Sequence, residues 1–127
     1  YNFFDRFANL KLISVENGSE WVPGLLTRMD KSRGMARNGY WPCGQLEQRP
    51  SKIFRENVFV VAYPEDDLPG IIAQAGGGEV LVMGSDWPHA EGVATAATFA
   101  AEACAALSAE QTRNIMYDNP RRFLVKS

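Results

Sequence analysis

The sequence is poor in histidine and cysteine. Its 127 residues include one histidine, His89, and two cysteines, Cys43 and Cys104. Two distant cysteines without Cys-x-x-Cys spacing suit neither a disulfide framework nor a zinc-thiolate site, so we expect two free, reduced thiols in a cytoplasmic protein. A single histidine excludes a zinc site with three nitrogen ligands drawn from this chain alone.

The chain also lacks a charge excess and a long apolar run. It has 13 basic and 15 acidic residues, a formal net charge of −2, and therefore no electrostatic footprint for nucleic acid or an anionic membrane. No apolar stretch approaches the roughly 20 residues that span a bilayer, and no signal-peptide pattern is present. We expect a small-molecule substrate, no nucleic-acid or membrane partner and a cytoplasmic location.

Three apolar, partly β-branched segments predict strands: Leu10–Glu16, Val58–Tyr63 and Val80–Asp86. The middle segment is apolar throughout, which indicates a strand buried on both faces. The only triglycine, Gly76–Gly78, precedes its strand. Because no glycine-rich turn follows a strand, the sequence offers no phosphate cradle, which argues against a nucleotide-binding domain.

Helical patterns separate and follow these strands. Apolar spacing predicts a helix after Ser19 as N-cap, a second in Pro64–Gly78, an alanine-rich third in Gly92–Leu107, and a fourth that begins at a capping box and is stopped by Asn119-Pro120. Residues 32–50 are rich in glycine, proline and arginine and predict a long loop.

Alternating strands and helices predict an α/β fold with a parallel sheet. Right-handed crossovers place the carboxyl ends of parallel strands at one edge, where ligands bind in open sheets and barrels. Glu16, Asp66, Asp67 and Asp86 follow predicted strands and should gather at that rim. An aspartate in Asp86's position can hold a metal or act as a general base.

Each of these side chains also has a plainer interpretation. Asp86 can cap the turn that follows it, and Glu16 can be a solvated end-of-strand residue. His89 can be a hydrogen-bonded structural residue, and the Asp66-Asp67 pair a solvated helix start. The residues alone leave these alternatives open.

The segment "GSDWPHAEG", Gly84–Gly92, resembles the Gly-Ser-Asp-x-Pro-His motif that ends the last strand of amidohydrolase-related barrels, the group of aminocarboxymuconate semialdehyde decarboxylase. Asn119–Leu124 resembles that family's Asn-Ala/Pro-x-x-Leu/Phe segment. "FDRFANLKLISVENGSEWVPGLLTRMD" and "RPSKIFRENVFVVAY" are similar to its sixth and seventh strand regions, so the resemblance covers essentially the whole chain.

The resemblance implies a fold and a domain. We expect residues 1–127 to be the C-terminal portion of a single amidohydrolase-type domain, contributing the last three βα units of a TIM (β/α)8 barrel that is incomplete as given. The chain has no initiator methionine and opens on "YNFFDRF", which suggests a piece of something longer. The family's His-x-His pair and fifth-strand histidine have no counterpart here.

The resemblance also implies site roles. Asp86 matches the aspartate that closes the metal site, and His89 matches the histidine after it, interpreted as supporting the loop. Glu16 stands where better-known members carry a histidine. We therefore take Asp86, Glu16 and His89 as candidate catalytic residues and Asp86 as a candidate metal ligand. For the divalent ion we expect Zn²⁺ first and Mn²⁺ as the alternative.

The resemblance implies a metal-dependent reaction on a small molecule. It is either hydrolysis of an ester, lactone or amide, or decarboxylation of a carboxylic acid, which is a lyase reaction. Arg28 or Arg37 are candidates for meeting a substrate carboxylate. We expect the isolated chain to be inactive. The alternative is a non-catalytic α/β fragment that self-associates as a homo-oligomer or needs the missing N-terminal strands.

Overall fold

Three short strands pair side by side in the order in which they occur along the chain. They are β1 (Leu12–Ser14), β2 (Val58–Ala62) and β3 (Leu81–Met83), in a computed structural model that describes residues 3–35, 38–42 and 44–124. Both pairs are parallel, with Ser14 opposite Val60 and Ala62 opposite Met83. The predicted parallel α/β sheet is confirmed, with shorter strands than the sequence indicated.

Helices connect the strands and follow the last one. They are α1 (Phe3–Arg6), α2 (Val22–Met35), α3 (Pro50–Asn57), α4 (Leu68–Ala75), α5 (Ala96–Glu102), α6 (Ala109–Arg113) and α7 (Asn119–Leu124). Helices α2 and α3 form the crossover from β1 to β2, and α4 forms the one from β2 to β3. Each crossover returns the chain to the same end of the sheet, as parallel pairing requires.

The core lies between the sheet and its helices. As predicted, the central strand β2 is almost wholly buried, and Phe59 and Val60 are fully inaccessible to solvent. Val60 packs in one cluster with Val22 and Leu26 of α2 and Phe99 of α5, whereas the Phe59 ring packs against Phe123 of α7, with ring centroids 4.9 Å apart. Burial of each large apolar side chain is worth about 1.5–3 kcal/mol, so this core dominates the stability of the fold.

Local side-chain hydrogen bonds set the helix boundaries. The predicted capping box is present, because Ser108 and Gln111 cap α6 reciprocally. Asp67 is the N-cap of helix α4, and its carboxylate accepts from the Gly70 amide (3.1 Å). The helix ends before Gly76, which adopts a left-handed φ of 75°. The alanine-rich helix is shorter than predicted, because it begins at Ala96, after Thr95 as N-cap, and ends at Glu102.

Two helix predictions need correction. Helix α2 begins at Val22 and runs on to Met35, and the hydroxyl of Ser19 donates to Asp66 instead of taking up the predicted capping role. Asn119-Pro120 does not stop the last helix. A π-helical segment, Asn114–Asp118, precedes α7 and lets the Asn119 amide bond back to Asn114. Pro120, which has no N–H, is then the second residue of α7, directly after the π-helical segment, and the chain is helical on both sides of it.

The last helix is anchored to the amino-terminal end of the sheet. The Asn119 side chain, itself buried, donates to the carbonyls of Gly78 (2.9 Å) and Leu81 (2.8 Å). The Arg122 guanidinium donates to the carbonyls of Glu79 (2.6 Å) and Arg55 (2.7 Å). These bonds tie α7 to residues 78–81, at the start of β3, and to the last turn of α3.

Cys104 is buried, and burial raises the pKa of its thiol. Cys43 lies outside the described residues.

Among the residues the structure describes, no helix is both long enough and apolar enough to cross a bilayer.

Replacement of Asn119 by alanine should destabilise the chain. The change removes the side-chain donor to the Leu81 carbonyl and one of the two donors to the Gly78 carbonyl, which also accepts from the Leu81 amide (3.1 Å). We expect the loss to cost about 1–3 kcal/mol in the free energy of unfolding. Urea denaturation followed by circular dichroism measures it, with Asn38→Ala, an exposed asparagine, as the control. Equal stability of the two variants would contradict the anchoring role.

Candidate active site

A cavity of about 570 Å³ opens at the carboxyl-terminal edge of the sheet. Its lining comes from the end of each strand and the segment after it: residues 15–16 after β1, 61–65 at the end of β2, and 84–86, 89 and 91–92 after β3. The sequence predicted that this edge would collect the polar side chains, and parallel pairing is the reason that it does.

Three of the lining side chains come together as candidate metal ligands. Glu16, Asp86 and His89 each offer one ligand atom, and these atoms lie within 4.8 Å of one another. His89 Nδ1 lies 2.9 Å from Asp86 Oδ1, and the His89 amide donates to the Asp86 carbonyl at the same distance. Glu16 and His89 are exposed, whereas Asp86 is half-buried.

Glu16 and Asp86 share an unusual backbone conformation. Their φ angles are 59° and 52°, and they are the two non-glycine residues with positive φ in the part of the chain that the structure describes. This left-handed conformation costs an L-residue roughly 1–2 kcal/mol. Residues held in such conformations are concentrated at functional sites, so the backbone conformation distinguishes Glu16 and Asp86 among the residues that line the cavity.

Glycines allow the Asp86 loop to close on itself. A Cβ on Gly92 would lie 2.6 Å from the Ser85 carbonyl oxygen and 2.8 Å from that of Asp86. The Val93 amide donates to that Ser85 oxygen at 2.8 Å, which closes the loop. A Cβ on Gly84 would in turn lie 2.3 Å from a methyl of Val61 on β2. The "GSDWPHAEG" segment therefore needs glycine at both ends.

The plainer interpretation of the Asp66-Asp67 pair as a solvated helix start holds for Asp67, which is exposed, but not for Asp66. Asp66 Oδ2 accepts from the Ser19 amide (2.7 Å), the Ser19 hydroxyl (2.6 Å) and the Tyr63 amide (3.0 Å). Asp67 caps α4. Neither aspartate lines the cavity, so the expectation that both gather at the site with Glu16 and Asp86 was too broad.

Two further carboxylates line the cavity, Glu65 and Glu91, and sequence reasoning missed both. Glu65 could have been found from its place just after β2, and Glu91 from its closeness to Asp86. Among the described residues that line the cavity there is no lysine or arginine. Arg28 is exposed on α2, where its Nε donates to the Gly24 carbonyl (3.4 Å), and Arg37 lies outside the described residues.

The donor set of Glu16, Asp86 and His89 fits a divalent ion. Two ligand atoms bound at about 2.1 Å to one ion lie at most about 4.2 Å apart, so small side-chain rotations would bring separations within 4.8 Å into range. Two carboxylates and one imidazole suit Zn²⁺ or Mn²⁺. They are fewer ligands than a closed site needs.

Comparison with known proteins agrees with the sequence motifs. A family model described as an amidohydrolase matches residues 1–125. An amidohydrolase crystal structure from Mycobacterium avium subsp. paratuberculosis K-10 is similar to the chain, with a TM-score of 0.77 and 36% identity. The match covers 97% of this chain and 30% of that one, so the chain spans less than a third of that protein's length. No curated protein matches.

The left-handed conformation at Glu16 predicts a difference between two truncations. Glu16→Gly and Glu16→Ala both remove the carboxylate, but alanine keeps the Cβ that makes positive φ costly. We expect the glycine variant to have the higher free energy of unfolding, by about 1 kcal/mol. Urea denaturation compares the two, and an alanine variant as stable as the glycine variant would contradict the strain.

Proposed function

The chain belongs to the amidohydrolase family, and from this premise we propose that residues 1–127 form the C-terminal part of one barrel domain that carries out metal-dependent hydrolysis. One observation carries the proposal: Glu16, Asp86 and His89 converge at the carboxyl edge of the sheet, with both carboxylates on left-handed backbone. A solvated end-of-strand residue or a simple turn cap requires no such convergence.

Asp86 is the principal ligand and base in this proposal. Its carboxylate is half-buried, faces the cavity and is already hydrogen-bonded through one oxygen to His89. His89 thereby orients Asp86, as partners of ligating carboxylates commonly do. The other carboxylate oxygen is available to an ion or to the proton of an attacking water.

Glu16 brings a second carboxylate where better-known members have histidine. A carboxylate adds negative charge that a neutral imidazole does not, and it accepts hydrogen bonds without donating any. Glu16 therefore holds the metal or accepts a proton, and it does not act as a neutral donor to the substrate. A bound divalent ion, with Zn²⁺ the first choice and Mn²⁺ the second, supplies Lewis acidity toward a carbonyl oxygen.

The charge of the cavity favours hydrolysis over decarboxylation. Its described lining carries four carboxylates, one histidine and no lysine or arginine, so this side of the cavity repels a free carboxylate on the substrate. An ester, lactone or amide carries no such charge. As the substrate we therefore favour a small neutral acyl compound over an unsaturated or aromatic acid.

Activity requires the rest of the barrel in this proposal. Three βα units leave the cavity open, and one histidine cannot replace the nitrogen ligands that the family draws from other strands. In this proposal the isolated chain contributes only part of the active-site lining, and by itself it is inactive.

A second candidate function follows from the exposed edge of the sheet. Strand β1 pairs on one side with β2, and Leu12, Ile13 and Val15 are each about half exposed. An apolar, unpaired edge is a template for another strand. It fits either the upstream part of the barrel or a second copy of the chain, which would make the isolated chain a self-associating, non-catalytic fragment.

Metal binding tests the first proposal. We expect Mn²⁺, titrated into the chain and followed by the electron paramagnetic resonance of the free ion, to bind at one site. Asp86→Ala should weaken binding at least about tenfold, since it removes the principal ligand. Asp118→Ala is the control, because Asp118 pairs with Arg113 (3.0 Å) away from the cavity. Equal binding by both variants, or none by the wild type, would contradict the assignment.

Sedimentation tests the second candidate. If β1 mediates self-association, the wild type sediments as a dimer or larger, and Ile13→Lys shifts it to the monomer because a charged side chain blocks edge pairing. Met35→Lys, a change at a well-exposed apolar residue of α2, should leave the mass unchanged. A wild type that is monomeric at high concentration would exclude self-association.

A further inference from the structure

The segment that carries Glu16 is held by an unusual set of side-chain contacts. We call residues 15–21, between β1 and α2, the β1–α2 loop. Within it the Asn17 side chain donates to the Val15 carbonyl (2.7 Å), and the Trp21 indole donates to the Gly18 carbonyl (2.9 Å). These bonds shape the loop internally, but they do not decide where it sits relative to β3 and Asp86.

Asp66 supplies that external contact. One of its carboxylate oxygens accepts three hydrogen bonds, two from Ser19 in the β1–α2 loop and one from the Tyr63 amide after β2. Ser19 is fully buried, so the contact is shielded from competing water. Hydrogen bonds to an ionised acceptor are roughly twice as strong as neutral ones, and three on one oxygen make a rigid junction.

The surroundings of Gly18 show how closely the two segments approach. Its φ is 57°, and a Cβ there would lie 2.8 Å from the Tyr63 ring and 3.3 Å from the second oxygen of Asp66. The β1–α2 loop therefore lies directly on the turn after β2. Glu16 is two residues before this contact, so a shift of the junction would displace its carboxylate.

We propose that Asp66 is a positioning residue for the candidate site: by fastening the β1–α2 loop to the turn after β2, it places Glu16 within reach of Asp86 and His89. Asp66 does not line the cavity and acts only through the loop. The proposal rests on the proposed function, in which Glu16 faces the metal and substrate.

The neighbouring acid, Asp67, provides a matched control. It lies in the same turn and its carboxylate accepts one bond, from Gly70 at the start of α4. Asp66→Ala and Asp67→Ala both remove a carboxylate that fixes local backbone. A purely structural role for Asp66 would make the two variants behave alike, whereas a positioning role separates them.

Two measurements on these variants test the proposal. The first is hydrogen exchange at the Trp21 indole, assigned among the three indole signals by Trp21→Phe, which reports on the β1–α2 loop without any metal. The second is Mn²⁺ affinity. We expect Asp66→Ala to speed indole exchange at least about tenfold and to weaken Mn²⁺ binding roughly 10–100-fold. Ser19→Ala, which keeps the backbone donor, should show smaller changes in the same direction.

Asp67→Ala should leave both readouts within about twofold of wild type, and circular dichroism verifies that each variant is folded. Unchanged indole exchange in Asp66→Ala would overturn the proposal. So would faster exchange with Mn²⁺ affinity retained, because the loop would then have no bearing on the site. If the wild type binds no Mn²⁺, the proposed function is contradicted, and indole exchange alone decides whether Asp66 holds the loop.

Discussion

The parallel pairing of β1, β2 and β3 is the constraint on which the site depends. Since each strand runs the same way and each crossover returns to the same end, the residues after every strand meet at one edge. Glu16 and Asp86 are 70 positions apart in the sequence, yet they offer ligand atoms within 4.8 Å. In an antiparallel sheet of the same strands, neighbouring carboxyl ends would lie at opposite edges.

The two ends of the sheet serve different purposes. At the amino-terminal end, Asn119 and Arg122 satisfy backbone carbonyls and fasten the last helix to the strands. At the carboxyl-terminal end, Glu16 and Asp86 adopt costly backbone conformations around an open cavity. Barrels divide stability and chemistry between their two faces in this way, and the stable end compensates for strain at the other.

Much of this arrangement could be predicted from the sequence. The three strands followed from runs of apolar and β-branched residues, and the closeness of Glu16, Asp86 and His89 followed from topology once the strands were taken as parallel. The contact between Ser19 and Asp66 could not be predicted, because it joins residues 47 positions apart and neither side chain has a local pattern that requires it. The continuation through Pro120 was missed because a π-helical segment changes the hydrogen-bond register just before the proline.

The anchoring of the last helix bears on how the chain is made. During synthesis the strands leave the ribosome well before residues 114–124, which supply the donors for the carbonyls of Gly78, Glu79 and Leu81. Until those residues emerge, the start of β3 lacks these side-chain donors, and the Gly78 carbonyl keeps only its bond from the Leu81 amide (3.1 Å). The nascent sheet therefore reaches its full stability only after α7 has been translated. Before that point its apolar face is accessible to chaperones.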